Sequence, residues 1–212
     1  MYKTEQEKLW TGEFGLNYIN RNNFKIPSYN KAEPAAIFSR WLKMLHATNN
    51  VKSIREFGCN IGLNLVALKY LAPSLQLSGY EINKEAVRQA KEFKVAEIKE
   101  CSILEKIEDE KVDLTFTCCT LMHINPDYLN KVYDNLVNGS NKYVLVAEFY
   151  NPTPTKITYH GQENTLFKRD FAGELIDNYG LKLVDYGFIY MRDNWEPKDT
   201  ILNDVTWFLL EK

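Results

Sequence analysis

Predicted strands alternate with predicted helices from residue 51 onward, and this alternation constrains the fold most strongly. Apolar, β-rich runs separated by helices build a mainly parallel α/β sheet with helices on both faces. Such sheets bind ligands beyond the carboxyl ends of their strands, so side chains that follow strands are candidates for a site. The predicted strands cover residues 51–57, 75–82, 96–101, 112–119, 142–149, 181–191 and 205–212, the last two as an antiparallel pair; the helices cover about 63–71, 84–93, 126–137 and 169–179, and 150–166 is a long loop.

A helix is also predicted ahead of this alternation, over residues 4–20. It begins at Thr4, and Glu7 stands three residues later, which is the spacing of a capping box. Gly12 and Gly15 weaken the helix, so we expect a break there.

A second N-terminal helix is predicted over residues 33–47, where apolar side chains recur at helical spacing, and 21–31 reads as a loop. The chain has no internal repeat and no linker. We therefore expect a single domain over 1–212, with 1–48 as a helical N-terminal cap and 49–212 as the core.

Composition excludes several classes of protein. With 28 acidic and 26 basic residues the net charge is −2, which argues against a face built for long nucleic acid. No apolar run approaches the roughly 18 residues of a membrane span, and the first residues lack the pattern of a signal peptide. We therefore expect a cytoplasmic protein with no nucleic-acid and no membrane partner.

The cysteines and histidines do not stand at metal-binding spacing, so no metal is implied. Cys118 and Cys119 are neighbours, and on a strand their side chains would point to opposite faces. Four reduced thiols are the expected state in the cytoplasm. The cysteines are Cys59, Cys101, Cys118 and Cys119, and the histidines are His46, His123 and His160.

The strongest local signal is the segment Glu56–Gly62, which joins the first core strand to a helix. Gly58 permits a tight turn and a close approach of the backbone to a ligand. The helix that follows offers free N–H groups to an anion. The dinucleotide fingerprint G-x-G-x-x-G is not matched, because Asn60 takes its second glycine position. By itself the turn is also compatible with simple strand–helix packing.

A second acidic residue agrees with a nucleoside site. Glu81 ends the second strand, 25 residues after Glu56, where a carboxylate can accept hydrogen bonds from ribose hydroxyls. Together with Gly58 and Gly62, these residues resemble the class I S-adenosylmethionine-dependent methyltransferases. Asn60 departs from the middle glycine of that family's motif, but asparagine tolerates the left-handed backbone such a turn needs.

This resemblance implies the fold and the cofactor. The fold would be Rossmann-like, with a seven-stranded, mostly parallel sheet in the order 3-2-1-4-5-7-6 and an antiparallel seventh strand. The cofactor would be S-adenosylmethionine, and the product S-adenosylhomocysteine. The turn would hold the methionine portion, Glu81 the ribose, Ile82 and Ser102–Ile103 the adenine, and Cys118 and Cys119 would line the floor. The implied cofactor-binding residues are Glu56, Gly58, Cys59, Asn60, Gly62, Glu81, Ile82, Ser102, Ile103, Cys118 and Cys119.

A narrower resemblance covers nearly the whole chain. Several segments outside the common fold resemble the pseudaminic acid biosynthesis-associated methylases. This resemblance implies a small-molecule methyltransferase that acts on an N or O atom. The implied acceptor is a nonulosonic acid of the pseudaminic or legionaminic type, or its nucleotide-activated form. The acceptor would then be an acidic or nucleotide-linked sugar. The segments are Glu5–Gly15 with Tyr18, Arg21 and Asn22; Tyr150–Pro154; Leu166–Glu174; Val184–Phe188; and Thr206–Lys212.

Four residues are candidates for acid–base catalysis. His123 follows the fourth strand and has an ordinary pKa near neutrality, although it could instead cap the next helix. Glu148 and Tyr150 end the fifth strand, and a surface ion pair is the alternative for Glu148. His160 lies in the long loop, and loops of that length are often functional.

Other residues are candidates for holding the acceptor or covering the cofactor. Tyr18 and Arg21 could touch the cofactor carboxylate from the N-terminal cap, or their helix could simply pack on the core. Lys168 and Arg169 could meet a carboxylate or phosphate, or lie in a solvated first helical turn. The implied substrate-binding residues are Trp10, Tyr159, Lys168 and Arg169.

Two other functions stay open at this point. One is an RNA or protein methyltransferase, against which stand the net charge of −2 and the sequence Cys118-Cys119-Thr120-Leu121 in place of an Asn-Pro-Pro-Tyr-type motif. The other is a non-catalytic relative that binds the cofactor or assembles with another enzyme of the pathway.

Overall fold

The computed structural model describes residues 2–22, 32–193 and 204–212. Within them, seven strands form one sheet and two form a separate hairpin. The strands are β1 (Ser53–Phe57), β2 (Gln76–Glu81), β3 (Glu97–Glu100), β4 (Val112–Cys118), β5 (Ser140–Glu148), β6 (Thr155–Tyr159), β7 (Gln162–Lys168), β8 (Lys182–Ile189) and β9 (Val205–Glu211).

The order of the main sheet is β3-β2-β1-β4-β5-β9-β8. Strands β1 to β5 pair in parallel, and β9 runs antiparallel to both β5 and β8. Because β6 and β7 lie outside this sheet, β8 and β9 are its sixth and seventh strands in chain order. The predicted fold class and the order 3-2-1-4-5-7-6 are therefore confirmed.

Helices cover both faces of the sheet. Along β5, Tyr143, Leu145 and Ala147 pack into one core cluster, whereas Val144 and Val146 pack into another, as alternation along a strand requires. The first cluster contains side chains of α3, α4 and α5, and the second those of α6 and α7. The helices are α1 (Glu5–Thr11), α2 (Glu13–Asn22), α3 (Ala32–Leu45), α4 (Leu63–Leu71), α5 (Lys84–Glu92), α6 (Leu129–Gly139) and α7 (Phe171–Tyr179).

The predicted break in the first helix is present, so the segment forms two helices. Thr4 caps α1 by accepting a hydrogen bond from the amide of Glu7 at 3.1 Å, and Gly12 separates α1 from α2. The two helices then meet so closely that a Cβ added to Gly15 would lie 1.8 Å from the carbonyl oxygen of Trp10. Glycine at position 15 therefore fixes how the α1–α2 pair folds back on itself.

The prediction of a long loop over residues 150–166 was wrong. β6 and β7 form an antiparallel hairpin there, in which Tyr159 pairs with Gln162. His160 and Gly161 make its turn with φ of 48° and 77°, the left-handed conformations that a two-residue hairpin turn needs. The prolines at 152 and 154 precede the hairpin rather than interrupt it.

Other boundaries differ by a few residues. Asn83 caps α5 as predicted, accepting from the amides of Glu85 and Ala86. The helix predicted from residue 126 begins as a 3₁₀ turn at Pro126–Tyr128 before α6, and α7 starts after its capping residue Asp170. The described residues contain no helix that is long and apolar enough to cross a bilayer.

Candidate active site

A cavity of about 280 Å³ lies at the carboxyl edge of the sheet. Segments that follow β1, β2, β3 and β4 form its floor, and the α1–α2 pair and α3 cover it. Its lining includes Gly58 to Ile61, Ile82, Asn83, Cys101 to Leu104, Cys118 to Thr120 and His123 from the floor, and Glu7, Trp10, Tyr18, Ile19 and Arg40 from the cover.

The turn after β1 has the backbone that a close ligand approach requires. Gly58, Asn60 and Gly62 have φ of 78°, 48° and 80°. A Cβ at Gly58 would lie 2.5 Å from the Cγ2 atom of Thr120, so a side chain there would collide with the segment after β4. Asn60 adopts the left-handed conformation in place of the family's middle glycine.

One end of the cavity holds an acidic and a basic side chain, both buried. Glu56 is 1% exposed and Arg40 is 7% exposed. Glu56 Oε1 accepts a hydrogen bond from Asn64 Nδ2 at 2.7 Å, whereas Glu56 Oε2 and Arg40 Nε have no hydrogen-bond partner among the described residues. Burial raises the pKa of Glu56 well above its ordinary value, and the charge of Arg40 opposes that rise.

Arg40 and Asn64 were missed in the sequence analysis. Arg40 lies on the apolar face of the helix predicted over 33–47, one residue before the fully buried Trp41. The sequence signal for a site residue was a single arginine among apolar core positions. A charged side chain that is buried needs a partner, so Arg40 could have been predicted to pair with another group.

Glu81 joins the floor segments at the middle of the cavity. Its Oε2 accepts from the amide of Asn60 at 2.8 Å, and its Oε1 accepts from the amides of Ile82 and Asn83, each at 2.8 Å. Burial raises the pKa of Glu81, and these amide hydrogen bonds oppose the rise. The carboxylate thus holds the turn after β1 against the start of α5.

The far end of the cavity, after β3, contains a carboxylate that the sequence analysis also missed. Ser102 donates its hydroxyl hydrogen to Oε1 of Glu7, and the amide of Leu104 donates to Ser102 Oγ at 3.0 Å. Glu7 is 7% exposed and belongs to α1. In the sequence, Glu7 was interpreted as a capping-box residue because it stands three residues after Thr4. Its contact with Ser102, 95 residues later in the chain, was therefore not predicted.

All four cysteines line this one cavity. The prediction that Cys118 and Cys119 point to opposite faces was wrong, because β4 ends at Cys118 and Cys119 has a left-handed φ of 55°. A hydrogen bond with the Cys119 thiol, aided by Arg40 and Asn64, lowers the pKa of Cys118 to about 6. The same hydrogen bond and burial raise the pKa of Cys119.

His123 sits on a 3₁₀ turn, Leu121–His123, that follows β4. Its Nδ1 lies 2.7 Å from the carbonyl oxygen of Thr165 in the hairpin, so Nδ1 carries the hydrogen and Nε2 is left as an acceptor. Burial lowers the pKa of His123 to about 4. The ring centroid lies 4.8 Å from that of Trp10 and 5.3 Å from that of Tyr159.

Glu148 lies beneath the cavity rather than on its wall. It is 3% exposed, so the alternative of a surface ion pair was wrong. Its carboxylate accepts from the amides of Thr120, Leu121 and Met122 at 3.1, 3.0 and 3.3 Å. Burial raises its pKa to about 7. Glu148 therefore anchors the 3₁₀ turn that carries His123.

The remaining candidates lie outside the cavity lining. Tyr150 is 41% exposed and packs on Phe208, and His160 occupies the hairpin turn. Lys168 lies over the ring of Phe149, with 5.2 Å from Nζ to the ring centroid.

Three further candidates have other placements. Arg169 pairs with Glu174 at 2.6 Å. Gly62 precedes α4 with φ of 80° and does not line the cavity. The side chain of Arg21 lies outside the described residues. Among the residues that the structure describes, no three His, Cys, Asp or Glu side chains are grouped as metal ligands would be.

A family model described as a methyltransferase domain matches residues 55–139. This range runs from β1 to the end of α6, so it contains the turn, Glu81, Ser102, the cysteine pair and His123. A search of curated proteins finds no match.

Solved structures of methyltransferases share the fold across almost the whole chain. The 1,6-didemethyltoxoflavin-N1-methyltransferase of Burkholderia thailandensis, with 1,6-didemethyltoxoflavin and S-adenosylhomocysteine bound, is 11% identical with a TM-score of 0.72, over 100% of this chain and 91% of that one. The magnesium protoporphyrin IX methyltransferase of Synechocystis PCC 6803, with S-adenosylhomocysteine bound, is 10% identical with a TM-score of 0.65, over 98% and 100%.

A third structure extends the likeness to a polyketide enzyme. The O-methyltransferase of a trans-AT PKS multienzyme from Brevibacillus brevis, in complex with S-adenosyl-L-homocysteine, is 12% identical with a TM-score of 0.64, over 100% of this chain and 81% of that one. At such identities the likeness establishes the fold. Residues 55–139 therefore match a methyltransferase domain, and the chain is an enzyme with the fold seen in these S-adenosylmethionine-dependent methyltransferases.

Proposed function

We propose that this enzyme transfers the methyl group of S-adenosylmethionine to an N or O atom of a small sugar-derived metabolite, a nonulosonic acid or its nucleotide-activated form. The observation that carries the proposal is the distribution of chemistry along one cavity. Its two ends hold buried charged groups, its middle holds a carboxylate, and its cover is aromatic. Along the cavity, the charged groups at one end suit a zwitterionic amino acid, the carboxylate in the middle suits a ribose, and the far end suits a flat base.

The end with Glu56 and Arg40 suits the amino-acid part of the cofactor. Glu56 Oε2 and Arg40 Nε are buried without partners among the described residues, and a buried charge is costly unless it is paired. An α-ammonium group would pair with Glu56, and an α-carboxylate would pair with Arg40. The turn at Gly58 lets the backbone approach the same part of the ligand.

The middle and the far end suit the nucleoside. Glu81 already accepts three amide hydrogen bonds, but a carboxylate has about four lone-pair sites, so it can also accept from a ribose hydroxyl. Ile82 and Ile103 give apolar surface for the base beside Ser102. When bound, the cofactor supplies an electrophilic methyl group on a sulfonium, and the residues around it align the acceptor.

Aromatic rings from the cover and the hairpin suit a sugar acceptor. Trp10 contacts Tyr18 and His123, with centroids 5.1 and 4.8 Å apart, and His123 contacts Tyr159. A sugar ring has apolar C–H faces and polar edges, which match aromatic side chains that also carry polar atoms. Trp10 Nε1 is buried without a partner among the described residues, so it is available to donate to a hydroxyl.

His123 is the group best placed to take up a proton. With its pKa lowered to about 4, the ring is neutral at pH 7, and Nε2 can accept a hydrogen bond from the nucleophile. Such a weakly basic acceptor suits an amine with a free lone pair or a hydroxyl that loses its proton late. Glu148 serves this role indirectly, by holding the 3₁₀ turn in place.

Transfer of a labelled methyl group tests the proposal. Purified enzyme and methyl-labelled S-adenosylmethionine are incubated with free and nucleotide-activated nonulosonic acids, and with a non-sugar phenol and an indole as controls. We expect labelled product from a sugar acid only, with His123→Ala reducing turnover and leaving cofactor affinity nearly unchanged. Label on the phenol or indole alone would refute the sugar acceptor. Cofactor binding without transfer to any acceptor would favour a non-catalytic binding role.

A further inference from the structure

The segment after β3 has beside it, at the cavity, a carboxylate that comes from α1. Ser102 lies in this segment and lines the cavity. Its hydroxyl donates to Oε1 of Glu7, which α1 brings to this end of the cavity. Glu7 is 7% exposed and lines the cavity with Ser102, Ile103 and Leu104.

Several contacts fix the position of this carboxylate. The amide of Lys3 donates to Glu7 Oε2, and the amide of Glu7 donates to Thr4 Oγ1 at 3.1 Å. Lys3 also ties the start of the helix to the segment after β3, since its Nζ lies 3.2 Å from the carbonyl oxygen of Leu104 and 2.7 Å from a carboxylate oxygen of Glu105. Glu7 therefore does not sample other positions freely.

The carboxylate of Glu7 keeps capacity for a ligand. Each of its oxygens has about two acceptor sites, and the contacts above use one on each oxygen. Parallel pairing puts the end of β3 next to the end of β2, so Ser102 follows the strand beside Glu81. A nucleoside with its ribose at Glu81 would place its base at Glu7.

We propose that Glu7 recognises the exocyclic amino group of the cofactor's adenine. This inference rests on the proposed function. An amino group donates a hydrogen bond to the carboxylate, whereas a carbonyl at the same ring position would face it with a second acceptor. Because Glu7 belongs to α1, recognition of the base requires the α1–α2 pair to be docked on the core.

Calorimetry with two ligands tests this role. S-adenosylhomocysteine carries the amino group, and S-inosylhomocysteine carries a carbonyl in its place. We expect the wild type to prefer the adenosyl ligand by about 10- to 100-fold, as a hydrogen bond to a charged group implies. Glu7→Gln should bring the ratio of the two affinities close to one, because an amide can both donate and accept. Glu5→Gln, on the exposed side of the same helix, is the matched control and should keep the wild-type ratio.

A second variant keeps the test decisive if Glu7→Gln does not fold. Ser102→Ala removes one of the contacts that position Glu7 and should lower the ratio severalfold. An unchanged ratio in either folded variant would overturn the inference while leaving the cofactor proposal intact. A wild type that binds neither ligand would refute the proposed cofactor itself, and this inference with it.

Discussion

Single side chains set the electrostatics of the cavity. Glu56 and Arg40 are both buried at the same end of it, and each has an atom without a hydrogen-bond partner among the described residues. Burial raises the pKa of Glu56, whereas the neighbouring thiol and the positive charge of Arg40 lower that of Cys118. The first shift thus comes from burial, whereas the second comes from contacts of Cys118 with the neighbouring thiol and with side chains of α3 and α4.

Replacing Arg40 tests the charge at this end. Arg40→Met should weaken S-adenosylhomocysteine binding by at least about tenfold, because a carboxylate would lose a charged hydrogen-bond donor. Lys43→Met, on the exposed side of the same helix, is the control and should bind as the wild type does. Equal affinity of all three proteins in calorimetry would remove Arg40 from the cofactor site.

Thiol labelling tests the lowered pKa of Cys118. With a pKa of about 6, Cys118 is mostly thiolate at pH 7, and the thiolate is the nucleophile. We expect iodoacetamide to modify Cys118 first, at a rate that rises from pH 5 to pH 7 and then levels off. Cys101, which lines the same cavity with a pKa of about 11, is the internal control. Peptide mass spectra showing Cys101 or Cys59 modified first would contradict this account.

The buried His123 makes stability depend on pH. Its pKa is lowered to about 4 in the folded protein from about 6.5 in the unfolded chain. The contribution of neutral His123 to the free energy of unfolding is therefore fully present above pH 6.5. It is lost as the pH falls toward 4, and the total loss is roughly 3 kcal/mol.

Denaturant unfolding at pH 7.5 and pH 5 measures this loss. The wild type should lose more free energy of unfolding between the two values than His123→Gln does, because glutamine does not titrate. Parallel pH profiles for the wild type and His123→Gln would show that His123 is not the group responsible.

The seven strands of the main sheet were predicted to within two residues of their observed bounds. The central strand β5 is buried on both faces and contains the continuous apolar run Tyr143–Ala147. In β4, β-branched and aromatic residues at Val112, Thr115, Phe116 and Thr117 gave the signal of a strand. The hairpin β6–β7 was missed because β6 is mostly exposed and follows two prolines. The side chains at Ile157 and Tyr159, followed by His160-Gly161, were the available signal of a strand and its turn.

The candidate site was predictable only in its local parts. Glu81 ends a strand, and the turn Gly58–Gly62 and Ser102 each follow one, so their position could be predicted from the alternation of elements. Glu7 and Arg40 reach the cavity from helices distant in sequence. Their contacts depend on how α1 and α3 dock, which the sequence pattern does not specify.

Gly15 is the residue that fixes the docking of the α1–α2 pair. Gly15→Ala would place a Cβ 1.8 Å from the carbonyl oxygen of Trp10, and such overpacking costs about 1–3 kcal/mol. We expect weaker S-adenosylhomocysteine binding together with loss of thermal stability. Gly12→Ala is the matched control, because its Cβ would lie 3.1 Å from the nearest atom and its φ is −94°. Equal effects of the two substitutions would show that this close approach is unimportant.

The whole molecule combines a common sheet with its own covering elements. Residues 55–139 match the methyltransferase domain, and they contain the cavity floor. The α1–α2 pair, α3 and the hairpin lie outside that range, and they supply Glu7, Trp10, Arg40 and Tyr159. Under the proposed function both parts would hold the cofactor, since Glu7 and Arg40 come from the covering elements, and Trp10 and Tyr159 would contact the acceptor.

Calorimetric titration of the purified protein with S-adenosylhomocysteine, with NAD as the control ligand, tests the central claim most directly. The arrangement of Glu56, Arg40, Glu81 and Ser102 predicts one site per chain for S-adenosylhomocysteine, with micromolar affinity, and no heat with NAD. Binding of NAD, or of neither ligand, would contradict the assignment of this cavity to S-adenosylmethionine.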